Sequence, residues 1–204
     1  MAVMHTPADA AVVRADADLD GLLLTGSLEG RRAENARFLE CRLEGCDLTG
    51  LHAPRARFTD TGLYAARGAG VALAESEWMD CAVANARLGA VELYGAELRR
   101  VRFEGGKIDY LNLRGARLLD VRFADCVLTE PDLGAAELVD VTFDGCRLVA
   151  PDFSQARLKN VDLSRAELVA PKGLASLSGA TISRLQLFDL APALAHQLGI
   201  TVAD

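Results

Sequence analysis

Nowhere in this chain do eighteen apolar residues follow one another, so no segment reads as a membrane-spanning helix. The opening residues, MAVMHTPADAAVV, carry no basic leader ahead of an apolar stretch, and a cytoplasmic protein is expected. Histidine is scarce and scattered, at His5, His52 and His196, and no two of the five cysteines stand in C-x-x-C spacing. Nothing in the pattern therefore points to a metal site. Nucleophile motifs, phosphate loops and dinucleotide-binding glycine patterns are missing too; GAGVAL, residues 68–73, follows no strand and opens no helix. A non-enzymatic protein without a cofactor is expected. Basic residues are outnumbered, 22 against 29 acidic, for a net charge of −7 and a pI near 5.0. This argues against direct nucleic-acid binding through an electropositive surface.

What is present is apolar residue in an unusual rhythm. Half of the 204 residues are apolar, enough for an extensive core in one ordinary or elongated domain. From Phe38 to Leu168 every fifth residue is large and apolar except Ala53 and Gly68. On a helix a step of five rotates each side chain about 140° from the last, which builds no stripe. On a continuous strand an odd step alternates faces, leaving half the set in solvent. A chain that turns a corner every five residues points the whole set at one axis.

Two positions before each of these residues lies a second inward set, small or apolar throughout, as in Ala36, Cys46, Val101, Ala116, Pro131 and Val161. All five cysteines, Cys41, Cys46, Cys81, Cys126 and Cys146, belong to it and read as buried, reduced, alanine-like core residues. A spacing of twenty groups like with like: Val101, Val121, Val141 and Val161; Phe103, Phe123 and Phe143; Pro131, Pro151 and Pro171. Four pentads thus make one coil, and residue n lies under residue n+20 at strand separation, about 4.8 Å. Phe143 is expected over Phe123, and Pro151 over Pro131.

The tandem units Ala36-Arg-Phe38, Cys41-Arg-Leu43, Cys46-Asp-Leu48, Ala116-Arg-Leu118, Ala156-Arg-Leu158 and Ala166-Glu-Leu168 resemble those of the pentapeptide-repeat proteins. The resemblance covers at least residues 36–170 and implies an all-β solenoid, a right-handed quadrilateral β-helix. It also implies two functional expectations. Members of the quinolone-resistance type are DNA-mimicking rods that bind DNA gyrase or topoisomerase IV, and related proteins often pair through a C-terminal element.

Three regions are expected: a flexible segment over residues 1–20, the β-helix over 21–182, and a helical cap over 183–204. Upstream, Leu23, Leu28 and Ala33 keep the register, and downstream it slips by one residue, with Ala175-Ser-Leu177 and Ala180-Thr-Ile182 as further pentads. The cap has Ser183 as N-cap and Gly199 as its stop. Pro192 predicts a kink or two short helices meeting near Leu190. Leu187, Leu190, Leu194 and Leu198, with Phe188 beside them, are the candidate dimerisation residues. Coils near Ala53 and Gly68 are expected to be loose, with a bulge at Gly68 and Gly70.

The surface carries the remaining information. Asp60, Asp80, Asp120 and Asp140 form an outward acidic column, interrupted by Arg100; Arg67, Arg87, Lys107 and Arg147 form a basic column on another side. Like charges at coil spacing are costly unless a neighbour or partner compensates them. These columns favour a rigid scaffold that binds a protein partner, with modulation of DNA gyrase as the alternative reading. The C-terminal segment reads as an end cap, with a cap that also pairs two copies into a homodimer as the alternative; neither membrane nor nucleic acid is expected as a direct partner.

Overall fold

A computed structural model describes residues 5–197 and 199–201. The chain is a parallel β-solenoid of about nine coils closed at its C-terminal end by one helix. Its geometry follows from one backbone feature. Every residue at a multiple of five from Gly30 to Asn160 has φ between +48° and +67°, the left-handed region. Each such residue turns the chain through one corner of the square. Side chains with a Cβ pay for that conformation, while glycine, asparagine and aspartate tolerate it. Those three residue types fill most of the corners, as at Gly45, Asn85 and Asp125.

Between corners run short extended segments such as Arg57–Thr59 and Gly62–Tyr64, whose middle residues, Phe58 and Leu63, point inward and are buried. This is the central residue of the pentad, and the small residue two positions earlier is buried beside it, as in Ala56, Cys81 and Val121. Away from the two ends, successive coils pair in parallel at an offset of twenty, for example Phe103↔Phe123 and Val141↔Val161. Their backbone hydrogen bonds run from coil to coil, as from Leu48 N–H to the Arg67 carbonyl at 2.7 Å.

The aromatic core residues form two stacks. Phe38, Phe58 and Trp78 stack with centroids 4.7 and 4.0 Å apart, and Phe103, Phe123 and Phe143 stack at 4.6 and 4.8 Å. Phe143 therefore lies over Phe123, as the twenty-residue spacing requires. Inside the first stack, Trp78 donates its indole N–H to Ser76 Oγ at 2.8 Å, and Ser76 Oγ bonds the Leu73 carbonyl at 2.6 Å. Ser76, the polar break in an alanine column, thus serves the tryptophan.

Gly68 shows no bulge: the pairing Arg67↔Arg87 through Val71↔Val91 runs without a shift. Its φ is +141°, and a Cβ there would meet Thr49 N at 2.6 Å. The backbone of the neighbouring coil occupies the space a side chain would take, so the coil closes up instead of loosening. Ala53 is fully buried in the same coil as Phe58, which supplies that layer's bulk.

The two ends depart from the sequence expectation. Strand β1 (Thr6–Ala8) pairs with β3 (Leu22–Ser27), β2 (Asp18–Asp20) pairs with Arg37–Leu39, and Val13 and Leu19 are buried. The segment read as a flexible start is thus a coil of the solenoid from Thr6 onward, while residues 1–4 lie outside the described residues. Leu24, not Leu23, occupies the core, opposite Leu43; the offset is nineteen there and returns to twenty at Ser27↔Asp47. One pentad, Leu24 to Leu28, is a residue short, and simple counting in fives misses it. At the far end the slip is found where expected, with Val161↔Ala180, but residues 174–177 form a 3₁₀ turn with Leu174 buried.

Helix α1 (Arg184–Gln197) covers the last coil. Ser183 and Gln186 form a reciprocal cap: Gln186 N–H donates to Ser183 Oγ at 3.2 Å and Ser183 N–H to Gln186 Oε1 at 2.6 Å. The amide of Gln186 is buried and donates to the carbonyls of Leu163 and Ala166 at 2.7 and 2.6 Å. The open end of the solenoid is sealed by these bonds. Pro192 does not divide the segment into two short helices: it lies inside the single helix Arg184–Gln197. The carbonyl that loses its usual intrahelical donor belongs to Phe188, an exposed residue.

Candidate interaction surface

All outward positions of a pentad lie at its corner or in the strand between, so the corner geometry decides which charges align. Asp60, Asp80, Asp120 and Asp140 are all corner residues and run along one edge of the rod. Aspartate is among the side chains that tolerate a left-handed corner, which supplies a conformational reason for the column independent of any partner. The edge is an open groove that also includes Arg100, Arg102 and Arg122. Arg100 lies between the two halves and grips Asp80 with Nε at 2.6 Å and Nη2 at 2.7 Å. That hydrogen-bonded guanidinium holds the Asp80 carboxyl below the usual carboxylate range. Asp140 accepts from Asn160 Nδ2 at 2.6 Å. The four carboxylates are thus brought together on one edge, which carries interleaved positive charge.

Arg67, Arg87 and Lys107 stack in register on a different wall, but Val127 follows them and separates Arg147. Arg67 faces Asp47 at 3.5 Å, Lys107 holds Asp109 at 2.8 Å, and Arg147 pairs with Glu167 at 2.5 Å. The basic column is therefore three residues long, with Arg147 a separate ion pair.

Several other charges are matched between coils in the same way. Arg57 meets Glu77 at 3.3 Å, Arg114 meets Asp132 at 3.1 Å and Arg165 meets Asp144 at 3.0 Å. Other carboxylates close turns within their own coil: Asp132 and Asp152 accept the backbone N–H groups of Gly134 and Ser154, both at 2.8 Å.

The candidate dimerisation residues divide. Leu190 is buried against the solenoid and is unavailable to a partner. Leu194 is half-buried, Leu187 and Phe188 are exposed, and Leu198 lies outside the described residues. The most exposed apolar side chain of the helix is Leu185, at 75%. Leu185 is not among the candidate dimerisation residues, because the position of the solenoid end relative to the helix is a tertiary matter.

The cysteines are free and buried. Burial pushes the Cys81 thiol up to about 11. Among the described residues no group of three His, Cys, Asp or Glu side chains could hold a metal ion, and no helix is long and apolar enough to cross a membrane.

The family model described as pentapeptide repeats (8 copies) matches residues 136–169, and the same five-residue register runs from Leu28 to Leu168 in the structure. Residues 136–169 are thus pentapeptide repeats, and the rest of the solenoid from Leu28 continues their register. Among solved structures, this chain is similar to HetL, a pentapeptide repeat protein involved in heterocyst differentiation regulation from the cyanobacterium Nostoc sp. strain PCC 7120. The two are 21% identical, over 86% of this chain and 94% of HetL, with a TM-score of 0.43. It is also similar to a trypsin-treated form of QnrB1, a plasmid-mediated fluoroquinolone resistance protein. That match is 18% identical over 92% of this chain and 100% of the other, with a TM-score of 0.45. No curated protein matches the chain.

Proposed function

We propose that this chain is a non-enzymatic scaffold, a rigid rod that binds a protein partner through its patterned outer face. One observation carries the reading: Arg100 bonded to Asp80, with Arg102 and Arg122 alongside, makes the longest acidic edge a mixed surface. Mixed ladders on a stiff wall suit recognition of another patterned protein surface, where charge sets specificity and register. Affinity capture with the full chain tests it, with Asp60→Arg/Asp120→Arg as the matched control. A partner lost with the control variant supports the scaffold; one retained by both, or a topoisomerase recovered, does not.

The acidic edge itself favours a second reading, modulation of DNA gyrase or topoisomerase IV by DNA mimicry. Duplex DNA presents one phosphate per roughly 1.7 Å of axis, whereas one carboxylate per coil is one per about 4.8 Å. A supercoiling assay decides: the absence of both inhibition and quinolone protection removes this reading. For the C-terminal helix, the exposed Leu185, Leu187 and Phe188 support pairing of two copies end to end. Light scattering of Leu185→Ser/Phe188→Ser against the unmodified chain tests that pairing, and a monomeric unmodified chain overturns it.

A further inference from the structure

One wall of the rod carries a column whose charges are ordered in a particular way. Asp18, Arg37, Arg57, Glu77, Glu97 and Arg117 are register neighbours on six consecutive coils. Their side chains are all more than half exposed. The signs run minus, plus, plus, minus, minus, plus. Within the chain Arg37 pairs with Asp18 at 3.6 Å, Arg57 with Glu77 at 3.3 Å and Arg117 with Glu97 at 3.5 Å; beyond these six the column runs on to Glu137, 3.9 Å from Arg117, and Arg157. Two like-charge contacts remain, Arg37 against Arg57 and Glu77 against Glu97, and like charges directly opposite on neighbouring strands are destabilising.

Reversed end to end, the sequence of signs becomes its own complement. A two-fold axis parallel to the strands, passing between the coils of Arg57 and Glu77, sets Asp18 against Arg117 of a second copy, Arg37 against Glu97, and Arg57 against Glu77. Every one of the six positions meets its opposite, and each like-charge contact is bracketed by the compensating sign. Of the large apolar side chains exposed on the solenoid walls among the described residues, Leu39 and Met79 lie on this same wall, at 41% and 40% exposure. In that arrangement Met79 falls opposite Thr59 of the second copy and Leu39 opposite the Arg99 stem.

We propose that this wall is a self-association surface on which two copies of the chain lie side by side and antiparallel, held by the self-complementary ladder. The mode is isologous, each copy presenting the same patch. It is distinct from end-to-end pairing through α1 and does not depend on it. Five coil spacings by three residues is roughly 24 by 10 Å, well short of a standard interface, so association is weak and sensitive to salt.

The test uses the full chain carrying Leu185→Ser/Phe188→Ser, so that pairing through the helix is silent. Sedimentation velocity at about 20 mM salt is expected to show reversible, concentration-dependent dimerisation that is suppressed at about 0.5 M salt. Arg37→Glu/Arg57→Glu and Glu77→Arg/Glu97→Arg each put like charges face to face, and each variant alone is expected to be monomeric. Mixed in equal amounts they restore all six opposite pairs, and association returns. If five like charges in a row unfold the coils, as read by circular dichroism, the neutral Arg37→Gln/Arg57→Gln carries the test, with association weakened at least about tenfold, or 1.4 kcal/mol. A chain monomeric at low salt, variants that associate like the parent, or a mixture no stronger than its components each overturn the proposal.

Discussion

Arg100 stands one coil above Asp80 and holds it through two N–H···O bonds, of 2.6 and 2.7 Å, in the middle of an otherwise acidic edge. Arg100 thus interrupts the column of carboxylates, with Arg102 and Arg122 beside it in the same groove. Replacing it by glutamine removes the hydrogen bonds that hold the Asp80 carboxyl low. Titration of Asp80 by carbon-detected NMR is expected to show its midpoint moving up toward the ordinary value in Arg100→Gln. The sign follows: the depressed carboxyl contributes its stabilisation above its unfolded value and loses it as pH falls through the folded one. Both groups are solvent-exposed, so the change in melting temperature is expected to be small.

The aromatic stack is a different matter. Phe123 lies between Phe103 and Phe143 and is fully buried. Phe123→Ala is expected to cost about 3–5 kcal/mol in urea unfolding, through lost burial plus a cavity bordered by two rings. Phe123→Leu, which restores the commonest residue of the central column, is expected to cost clearly less.

Glycines at outwardly similar places behave oppositely. At Gly68 an added Cβ would lie 2.6 Å from Thr49 N, whereas at Gly89 its nearest neighbour is the Ala69 Cβ at 3.7 Å. Gly68→Ala is expected to destabilise by at least about 2 kcal/mol, and Gly89→Ala to be neutral or stabilising by up to about 1 kcal/mol. Thermal melts of the two variants side by side check this.

At the capped end, Gln186→Ala removes the amide donor from both the Leu163 and Ala166 carbonyls, of which Leu163 keeps the Ala166 N–H. A loss of about 1–3 kcal/mol is expected. It should be local, read as faster hydrogen exchange in residues 160–182 with the coils before residue 100 unchanged.

The buried Cys81 thiol, pushed up to about 11, binds its proton more tightly folded than unfolded. The stability this contributes is complete below the ordinary thiol value of about 8.5 and is lost as pH rises through the folded one. Stability is thus expected to decline between about pH 9 and 11, less steeply in Cys81→Ala. A thiol reagent is expected to find all five cysteines only after denaturation.

Much of the architecture was legible because a pentad is a local rule. Phe38 to Leu168 and the small residues two positions earlier are inward for a reason that involves only five consecutive residues, and the stacking of Phe143 on Phe123 follows from counting to twenty. The corners were legible as well, although only in retrospect: the glycine, asparagine and aspartate residues at multiples of five mark left-handed turns, and that regularity also accounts for Asp60, Asp80, Asp120 and Asp140. Where the count itself changes, local reading fails. Leu23 held the register on paper, but the shortened pentad before Leu28 gives its place to Leu24, because the choice depends on which residue meets Leu43 on the next coil.

By itself, then, the sequence determined the coil: its length, its inward residues, its turns and the columns of charge outside. The tertiary structure decided what those columns amount to. Whether Asp80 is a free carboxylate or half of an ion pair with Arg100, whether Leu190 is surface or plug, and whether Gly68 is a gap or a close contact all depend on atoms one coil away or at the sealed end. Those distances are set by how coils stack and how the cap docks, and no five-residue rule contains them.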